Sequence, residues 1–382
     1  MIDTDKLEEK LNAEYKDLQE QTHKVNILLA GGTGVGKSSF INMVFGESIA
    51  ETGTGKPVTE EIQKFEDENL SVVLYDSVGY EIGRDKEAKF FREIEQLYEQ
   101  SNGADEIHIV WYFINAASHR ITDFDLEQLR KLKGKLKLEV CVALSKTDLV
   151  SDEDIAKLKG FIKENQETKS LPVFSLSTSS LEISEHEKLI QWSEGVLPER
   201  IRHAFTRSQR ISLDSKWKAA QTYITGHTSG AALIGWSPIS FSDAPILLAN
   251  QMAMLAKILH IYGLDSLQNL AKEVGLAAIL KQLIPMLGKS LVGNLLKLFP
   301  GVGTFWGGLI NAGVAASITY AIGFGMNYAC YRIYKSILDG DWPTAKKDLE
   351  NFSEIVTTYA KEALQNGKKT AEDYKIPNRK DN

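Results

Sequence analysis

A wound α/β sheet of mostly parallel strands over residues 25–183, followed by an all-α, strongly apolar region, is the fold that this 382-residue sequence predicts. Three observations carry the prediction. Between Val25 and Leu176, short β-branched and aromatic runs alternate with amphipathic stretches, as strands separated by helices do. Gly-Gly-Thr-Gly-Val-Gly-Lys-Ser-Ser at 31–39 directly follows the apolar run Val25, Ile27, Leu28, Leu29 and Ala30, so a strand, a glycine loop and a helix succeed one another. After Ser184 the strand pattern stops, and between Lys297 and Arg332 lie 34 positions without a charge.

Taken in order, residues 3–23 read as a helix, with Leu7, Leu11, Tyr15 and Leu18 at spacings of three and four among Asp, Glu and Lys. Strands are expected at Leu70–Tyr75, Ile107–Phe113, Val140–Leu144 and Val173–Leu176, with helices near 86–101, 122–133 and 152–165. Ligands of such sheets bind at the carboxyl ends of the strands, where the glycine loop lies. A second apolar stretch, Ala231–Ile261, is interrupted by Pro238, Asp243 and Pro245, and Pro285 and Pro300 mark helix ends. A charged amphipathic helix over about 344–374 and a polar tail close the chain. The expected partition is an N-terminal helix (1–24), the sheet domain (25–183), a helical apolar domain (184–342) and the C-terminal helix and tail (343–382).

Composition excludes several classes. The two cysteines, Cys141 and Cys330, are far apart in apolar contexts, which supports neither a disulfide framework nor a zinc site. A reducing, cytoplasmic setting is expected. Met1–Lys24 is charged and lacks an apolar core with a cleavage site, so no secretory signal is expected there. The net charge of −7 divides into −13 over residues 1–192 and +6 over 193–382, so the second half favours anionic partners.

Gly31, Gly32, Thr33, Gly34, Val35, Gly36, Lys37, Ser38 and Ser39 complete the pattern G-x-x-x-x-G-K-[ST], which cradles phosphates. Glycines let the chain curl so that main-chain N–H groups face phosphate oxygens, and the following helix adds its positive end. Lys37 would reach the outer phosphates and Ser38 would ligate Mg2+. Downstream, Asp76-Ser77-Val78-Gly79 ends the next long strand. Asp76 there would hold the metal through water, and the N–H of Gly79 would sense the terminal phosphate. Between them, Thr52-Gly53-Thr54-Gly55-Lys56-Pro57-Val58-Thr59 is a polar glycine-rich loop; Thr59 is the choice for a further metal ligand, with Thr52 and Thr54 as alternatives. Base choice is assigned to Ser145-Lys146-Thr147-Asp148, because the Asp148 carboxylate can accept from the ring N–H and the exocyclic amine of guanine, a donor pair that adenine lacks. A site built on such bonds discriminates by about four to five orders of magnitude. Lys146 would lie along the base plane, and Ser177-Thr178 would offer an N–H to the guanine oxygen.

This ordered set of motifs resembles the Era/TrmE-like branch of the translation-factor class of P-loop GTPases, over about residues 25–180. The resemblance implies a Ras-like sheet with one antiparallel strand around Glu61–Phe65, and binding of GTP and GDP with Mg2+. Three positions depart from the family's pattern. Ser145 stands where the guanine motif has Asn, which weakens a tie between base and phosphate loop. Gly34 stands where relatives that support potassium carry Asn, so no potassium dependence is expected from it. Tyr80 follows Gly79 where Ras-like proteins place a water-orienting Gln. Hydrolysis is therefore expected to be slow, about 10⁻⁴ per second unassisted, and completed by a partner or by self-association, with Arg84 and Arg120 as candidate arginine fingers.

In the second half, Trp236–Pro245, Gln251, Met252, Ile261-Tyr262-Gly263, Phe299–Gly303 and Thr319–Gly323 resemble an uncharacterised bacterial helical domain that follows Era-like GTPases. Thr304–Cys330 exceeds the roughly 20 apolar residues needed to span a bilayer, and Gly303 and Gly307 would let a second helix approach. Arg200, Arg202, Arg207, Arg210, Lys216 and Lys218 precede the first apolar stretch and suit an anionic membrane surface. The expected function is a GTP-controlled switch with a helical, membrane-contacting effector domain, working as a homodimer as septin-like and dynamin-like GTPases do. Ribosome or RNA assembly work is the alternative. It needs a basic RNA-binding module, which the uncharged helices do not offer, so nucleic acid is not the expected partner.

Overall fold

The computed structural model describes residues 4–21, 23–46, 62–66, 70–77, 84–100, 106–177, 183–234, 244–264 and 312–365, with Ile279, Gln282 and Leu295. The chain forms two compact units, one of Thr22–Ser212 and one that joins Met1–Gln21 to Leu213–Asn382. The first is thus inserted into the second.

The sheet unit carries β1 (Val25–Gly31), α2 (Lys37–Phe45), β2 (Gln63–Glu66), β3 (Val72–Asp76), α3 (Arg84–Gln100), β4 (Ile109–Asn115), α4 (Asp123–Arg130), β5 (Glu139–Ser145), α5 (Asp152–Glu164), β6 (Val173–Ser175), α6 (Ile183–Val196) and α7 (Glu199–Ser208), after an N-terminal α1 (Thr4–Gln21) that belongs to the other unit. Strand order is β2-β3-β1-β4-β5-β6. Among the described strands only β2 runs antiparallel, against β3, at the position the resemblance implies. Strands β1, β3, β4 and β5 are buried almost throughout, because parallel strands with helices on both faces need apolar residues at every position. Alternation sorts these residues. Val25, Ile27 and Leu29 join Phe40, Phe45, Trp111, Phe113 and Phe205 on one face, while Leu28 and Ala30 join Val110, Tyr112, Ile114, Leu129 and Ile162 on the other. Thr122 caps α4 with a capping box to Asp125, and Ser151 caps α5, which places these starts within a residue of the expected ones.

Helices α6 and α7 belong to this unit, which therefore extends past the expected boundary at residue 183. Leu189, Ile190, Leu197, Ile201, Ala204 and Phe205 pack into the same face as α2. The Trp111 indole N–H donates to Ser193 Oγ at 3.1 Å, and the Arg210 N–H donates to the Val44 carbonyl at 2.8 Å, on the last turn of α2.

The helical unit is built from α1, α8 (Leu213–Ile234), α9 (Ala244–Tyr262), α10 (Ala312–Leu338), α11 (Trp342–Glu350) and α12 (Phe352–Gln365). Helix α10 lies at its centre, packed on α8, α9, α11 and α12. It buries Ile318, Ala321, Ile322, Phe324, Met326, Ala329, Cys330, Ile333 and Tyr334 among them. At Gly325 a Cβ would overlap the Val356 carbonyl oxygen, so α12 can approach only because that position lacks a side chain. The apolar stripe of α1 docks on this unit too, with Leu11 and Tyr15 buried and the Tyr15 ring meeting His260 edge-on at 5.8 Å.

One expectation about the second half, a bilayer-spanning helix, is corrected here. Among the described residues no helix is long and apolar enough to cross a membrane. The described part of the charge-free stretch, from Ala312 to Cys330, lies in the central helix of a protein core; Gly303, Gly307 and the rest of 301–311 lie outside the described residues. Of the cations expected to face an anionic surface, Arg200 and Lys218 are exposed and the others have contacts within the protein. Arg207 is buried, Lys216 donates to the Ile261 carbonyl at 3.1 Å, Arg202 donates to the Leu197 carbonyl, the Arg210 guanidinium lies against Gly46, and Lys218 pairs with Asp214 at 2.6 Å.

Candidate functional site

Strand register aligns the expected motifs along one edge of the sheet. Leu29 of β1 stands beside Asp76 of β3, Gly31 beside Phe113 of β4, and Asn115 of β4 beside Ser145 of β5. The glycine loop, Asp76 and the Ser145–Asp148 segment therefore all leave the sheet at the carboxyl ends of adjacent strands, the place where parallel sheets bind ligands.

Gly31 turns the chain out of β1 with φ of +138°, and a Cβ there would overlap the Phe113 carbonyl oxygen. Only glycine fits both conditions. Thr33, Gly34 and Ser39 are exposed, Val35 packs into the core, and Gly36 leads into α2, whose first residue is Lys37. The loop thus ends on a helix N-terminus, where the first main-chain N–H groups have no intrahelical acceptor, a ready anion site.

Lys37 curls back over this loop. Its ammonium donates to the carbonyls of Gly31 and Gly32 at 3.4 and 3.5 Å and lies 3.7 Å from Asp76 Oδ1. Ser38 Oγ donates to Asp76 Oδ2 at 3.4 Å. Lys37 and Asp76 are 7 % and 4 % exposed, which decides their electrostatics. Burial pushes the Lys37 pKa below its ordinary value, opposed by Asp76, and pushes the Asp76 pKa above its own, opposed by Lys37 and Ser38. Each charge is thus held against the cost of desolvation, a pattern enriched where a ligand completes the electrostatics.

The donor set fits a hard cation. Among the described residues Asp76 Oδ1 and Ser77 Oγ are buried without hydrogen-bond partners, and Ser38 Oγ and the Asp76 carboxylate offer only oxygen, the ligand type that Mg2+ takes. Among the described residues no group of three or more His, Cys, Asp and Glu converges as a metal site. A magnesium ion here would complete its shell from phosphates and water, its usual habit.

The base-side segments are cross-linked. The Leu176 N–H donates to the Leu144 carbonyl at 2.7 Å and the Thr147 N–H to the Leu176 carbonyl at 3.3 Å. Lys146 sits in the left-handed region at φ of 56°, so the chain reverses there and presents Asp148, which is exposed, on a short helical turn. Ser145 Oγ donates to the Ile114 carbonyl at 3.2 Å, so its hydroxyl braces the sheet edge. Ser177 is buried, and its carbonyl accepts from His186 Nε2 at 2.8 Å. His186 was not expected at this site; a lone histidine in an amphipathic helix carries no motif. Thr59, Gly79, Tyr80 and Thr178, together with Thr52 and Thr54, lie outside the described residues, as does the side chain of Arg84. Arg120 is exposed and lines a cavity of about 310 Å³ with His119, Ile121, Asp154, Lys157, Leu158 and Phe161. No glycine-loop residue lines that cavity.

Comparison with known proteins places a sequence match on this unit. The Septin family model matches residues 74–211, from within β3 to the last residues of the unit, α6 and α7 included. Cell division control protein 12 of Saccharomyces cerevisiae is 21% identical over 191 residues, covering 43% of this chain and 46% of the relative. Human Septin-14 is 24% identical over 176 residues, covering 40% of each. The chain thus spans less than half the length of the curated relatives it matches. Among solved structures, that of Era in complex with MgGDPNP and a fragment of 16S ribosomal RNA is 17% identical with a TM-score of 0.36, covering 47% of this chain and 58% of that one. The sheet unit is an α/β domain with a phosphate-loop motif at the end of its first strand, and over residues 74–211 it is similar in sequence to septins.

Proposed function

We propose that this protein binds GTP and GDP with Mg2+, hydrolyses GTP slowly to GDP and phosphate, and acts as a nucleotide-controlled switch whose effector is the helical unit. The convergence of Lys37, Ser38 and Asp76 at the end of the glycine loop carries the reading. Lys37 would neutralise and orient the outer phosphates, the α2 N-terminus and loop N–H groups would hold their oxygens, and Ser38 and Asp76 would hold the metal. Bound magnesium would supply charge neutralisation between the phosphates. Asp148 would select guanine through the paired acceptors of its carboxylate, with Lys146 along the base. The septin match over 74–211 supports a GTPase of that broad kind; the finer Era/TrmE-like assignment rests on the motifs alone.

Slow turnover follows from Tyr80 standing where the water-orienting Gln belongs. We place the missing catalytic group on a second copy or a partner, so the hydrolysis rate per molecule should rise with protein concentration. We also propose a cytoplasmic setting with membrane contact through the helical unit, supported by the +6 charge of the second half. Flotation with anionic liposomes, with and without GTP, tests it, and protein that stays at the bottom in both would remove membrane contact. The central test is calorimetry with magnesium. Heat on adding GDP or GTP, and none with ADP or ATP, supports the assignment; no heat with any nucleotide removes it.

A further inference from the structure

Resting on the guanine site just proposed, we infer that His186 is a positioning residue that ties the base-binding edge to the phosphate-binding helix, the tie that Ser145 does not make. The side chain is 2 % exposed on α6. A carbonyl can only accept, so in the 2.8 Å contact with Ser177 O it is His186 Nε2 that donates. The same ring stacks on Phe40, with centroids 5.9 Å apart and planes at 20°. Phe40 lies one turn after Lys37 on α2, and its own ring meets Trp111 and Phe113 edge-on at 5.6 and 5.5 Å. One imidazole therefore touches the base side through a hydrogen bond and the phosphate side through a ring face. Ser177 follows Leu176, which is bonded to both Leu144 and Thr147, so the bond from His186 completes a chain from α2 to the segment that carries Asp148.

Ser145 cannot supply the same link, since its hydroxyl is spent on the Ile114 carbonyl at 3.2 Å. The consequence concerns the guanine oxygen. Its expected donor is a main-chain N–H at Ser177-Thr178, and that N–H is aimed only as well as the Ser177 peptide is held. Buried hydrogen-bonded groups that orient a contact residue act through geometry, so their loss degrades one contact and leaves the others.

The substitution His186→Phe keeps the ring on Phe40 and removes the donor, whereas His186→Gln keeps a donor and removes the ring. The probes are GDP and 6-thio-GDP, which differ only in the atom that accepts this bond, read by calorimetry in magnesium. Expected for His186→Phe is GDP affinity lowered about tenfold, as for one lost hydrogen bond, with the preference for GDP over 6-thio-GDP collapsing towards one. His186→Gln should keep that preference. Equal losses for both nucleotides in His186→Phe, or no loss for either, would overturn the inference by leaving only a packing role or none. Should His186→Phe fail to fold, the imidazole N–H of wild type decides by NMR: a protected Nε2–H signal that shifts on GDP saturation supports the tie, and one that does not move overturns it. Wild type that binds GDP no better than ADP would instead remove the guanine site itself, a result distinct from a guanine-selective protein indifferent to residue 186.

Discussion

Lys216 in the helical unit and Lys37 in the sheet unit are both buried lysines, yet their surroundings differ in kind. Lys216 donates to the Ile261 carbonyl at the end of α9 at 3.1 Å, with its ammonium 4.9 Å from the Tyr334 ring centroid. Elsewhere in this unit Tyr262 donates to Asn327 at 2.7 Å, Gln251 donates to Thr319 at 3.2 Å, and Arg332 makes a two-pronged pair with Asp348 at 2.8 and 3.1 Å. Lys37 reaches its described neighbours at 3.4 to 3.7 Å, beside Asp76 Oδ1 and Ser77 Oγ, which have no hydrogen-bond partner among the described residues. The helical unit also leaves polar atoms unpartnered among the described residues, Gln221 Oε1 and Thr228 Oγ1, but these stand seven residues apart on α8 and not together at one point. Burial alone therefore does not mark a ligand site. What marks it is the clustering of stretched and unfilled contacts around opposed charges at a strand end, because unpaired buried polar groups cost about 1–3 kcal/mol each and persist where a ligand repairs them.

Removal of the two lysines breaks or sharpens that contrast most strongly. Lys37→Ala should weaken binding of magnesium-GDP by about a hundredfold or more, since it deletes a charged partner of the phosphates and strands Asp76 without its cation. The fold of the helical unit should be untouched. Lys216→Ala should do the reverse, lowering the melting temperature while GDP affinity stays at the wild-type value. Calorimetry and thermal melts on the two variants decide it, and comparable loss of nucleotide binding in both would erase the distinction.

Asp148→Asn follows in size. A lost charge-assisted bond costs about 1.5–3 kcal/mol, so GDP affinity should fall roughly ten- to a hundredfold while xanthosine diphosphate improves, because an amide can donate to the oxygen that replaces the guanine amine. Unaltered GDP affinity would detach Asp148 from the base.

Legibility in the sequence divides along the same line. The sheet was readable because fully buried parallel strands leave unbroken apolar runs: β1, β3, β4, β5 and β6 fall within one or two residues of the expected positions. The site was readable where chemistry forces a local spacing, as between Gly36, Lys37 and Ser38, or ties a residue to a strand end, as with Asp76. Three features stayed hidden, each a matter of which partner an amphipathic surface meets. The stripe Leu11, Tyr15 and Leu18 states that α1 packs, and nothing local states that it packs on α9. Helices α6 and α7 present an apolar face that names no sheet. Arg207 and Lys216 look like surface cations, since charge is visible in a sequence and a compensating carbonyl from another helix is not.

Two glycines, one from each unit, give the next effect. A Cβ at Gly31 or at Gly325 would overlap a main-chain carbonyl oxygen, that of Phe113 or of Val356. Overpacking of this kind costs about 1–3 kcal/mol, so both alanine variants should melt earlier. GDP discriminates them. At about 100 times its dissociation constant a ligand adds about 2.7 kcal/mol to the native state, and Gly325→Ala should gain this as wild type does. Gly31→Ala should not, because its clash displaces the phosphate loop. Equal stabilisation of both by GDP would show that the loop tolerates the change and that Gly31 serves packing alone.

The smallest expected effect is a pH dependence that also differs between the units. Burial holds His108, in the sheet unit, and His227, in the helical unit, below the ordinary histidine range; nearby Glu106 works against this at His108 and Arg200 with it. Both therefore bind protons more readily when unfolded, so their stabilising contribution is complete above about pH 6.5 and is lost as pH falls through that value towards the lower native one. The hydrogen bonds set the order. At His108, Nδ1 accepts the Asn26 N–H at 2.9 Å, so protonation there would point one N–H at another and break the contact beside β1. At His227, Nδ1 faces Asn250 Oδ1 at 2.8 Å; an amide oxygen only accepts, so Nδ1 already carries its proton, and a second can enter at Nε2 with that bond intact. Melting temperatures between pH 7.5 and 5.5 should accordingly fall less in His108→Gln than in wild type, with a smaller flattening in His227→Gln. A slope governed by His227 instead would mean that acid loosens the helical core before the amino end of β1.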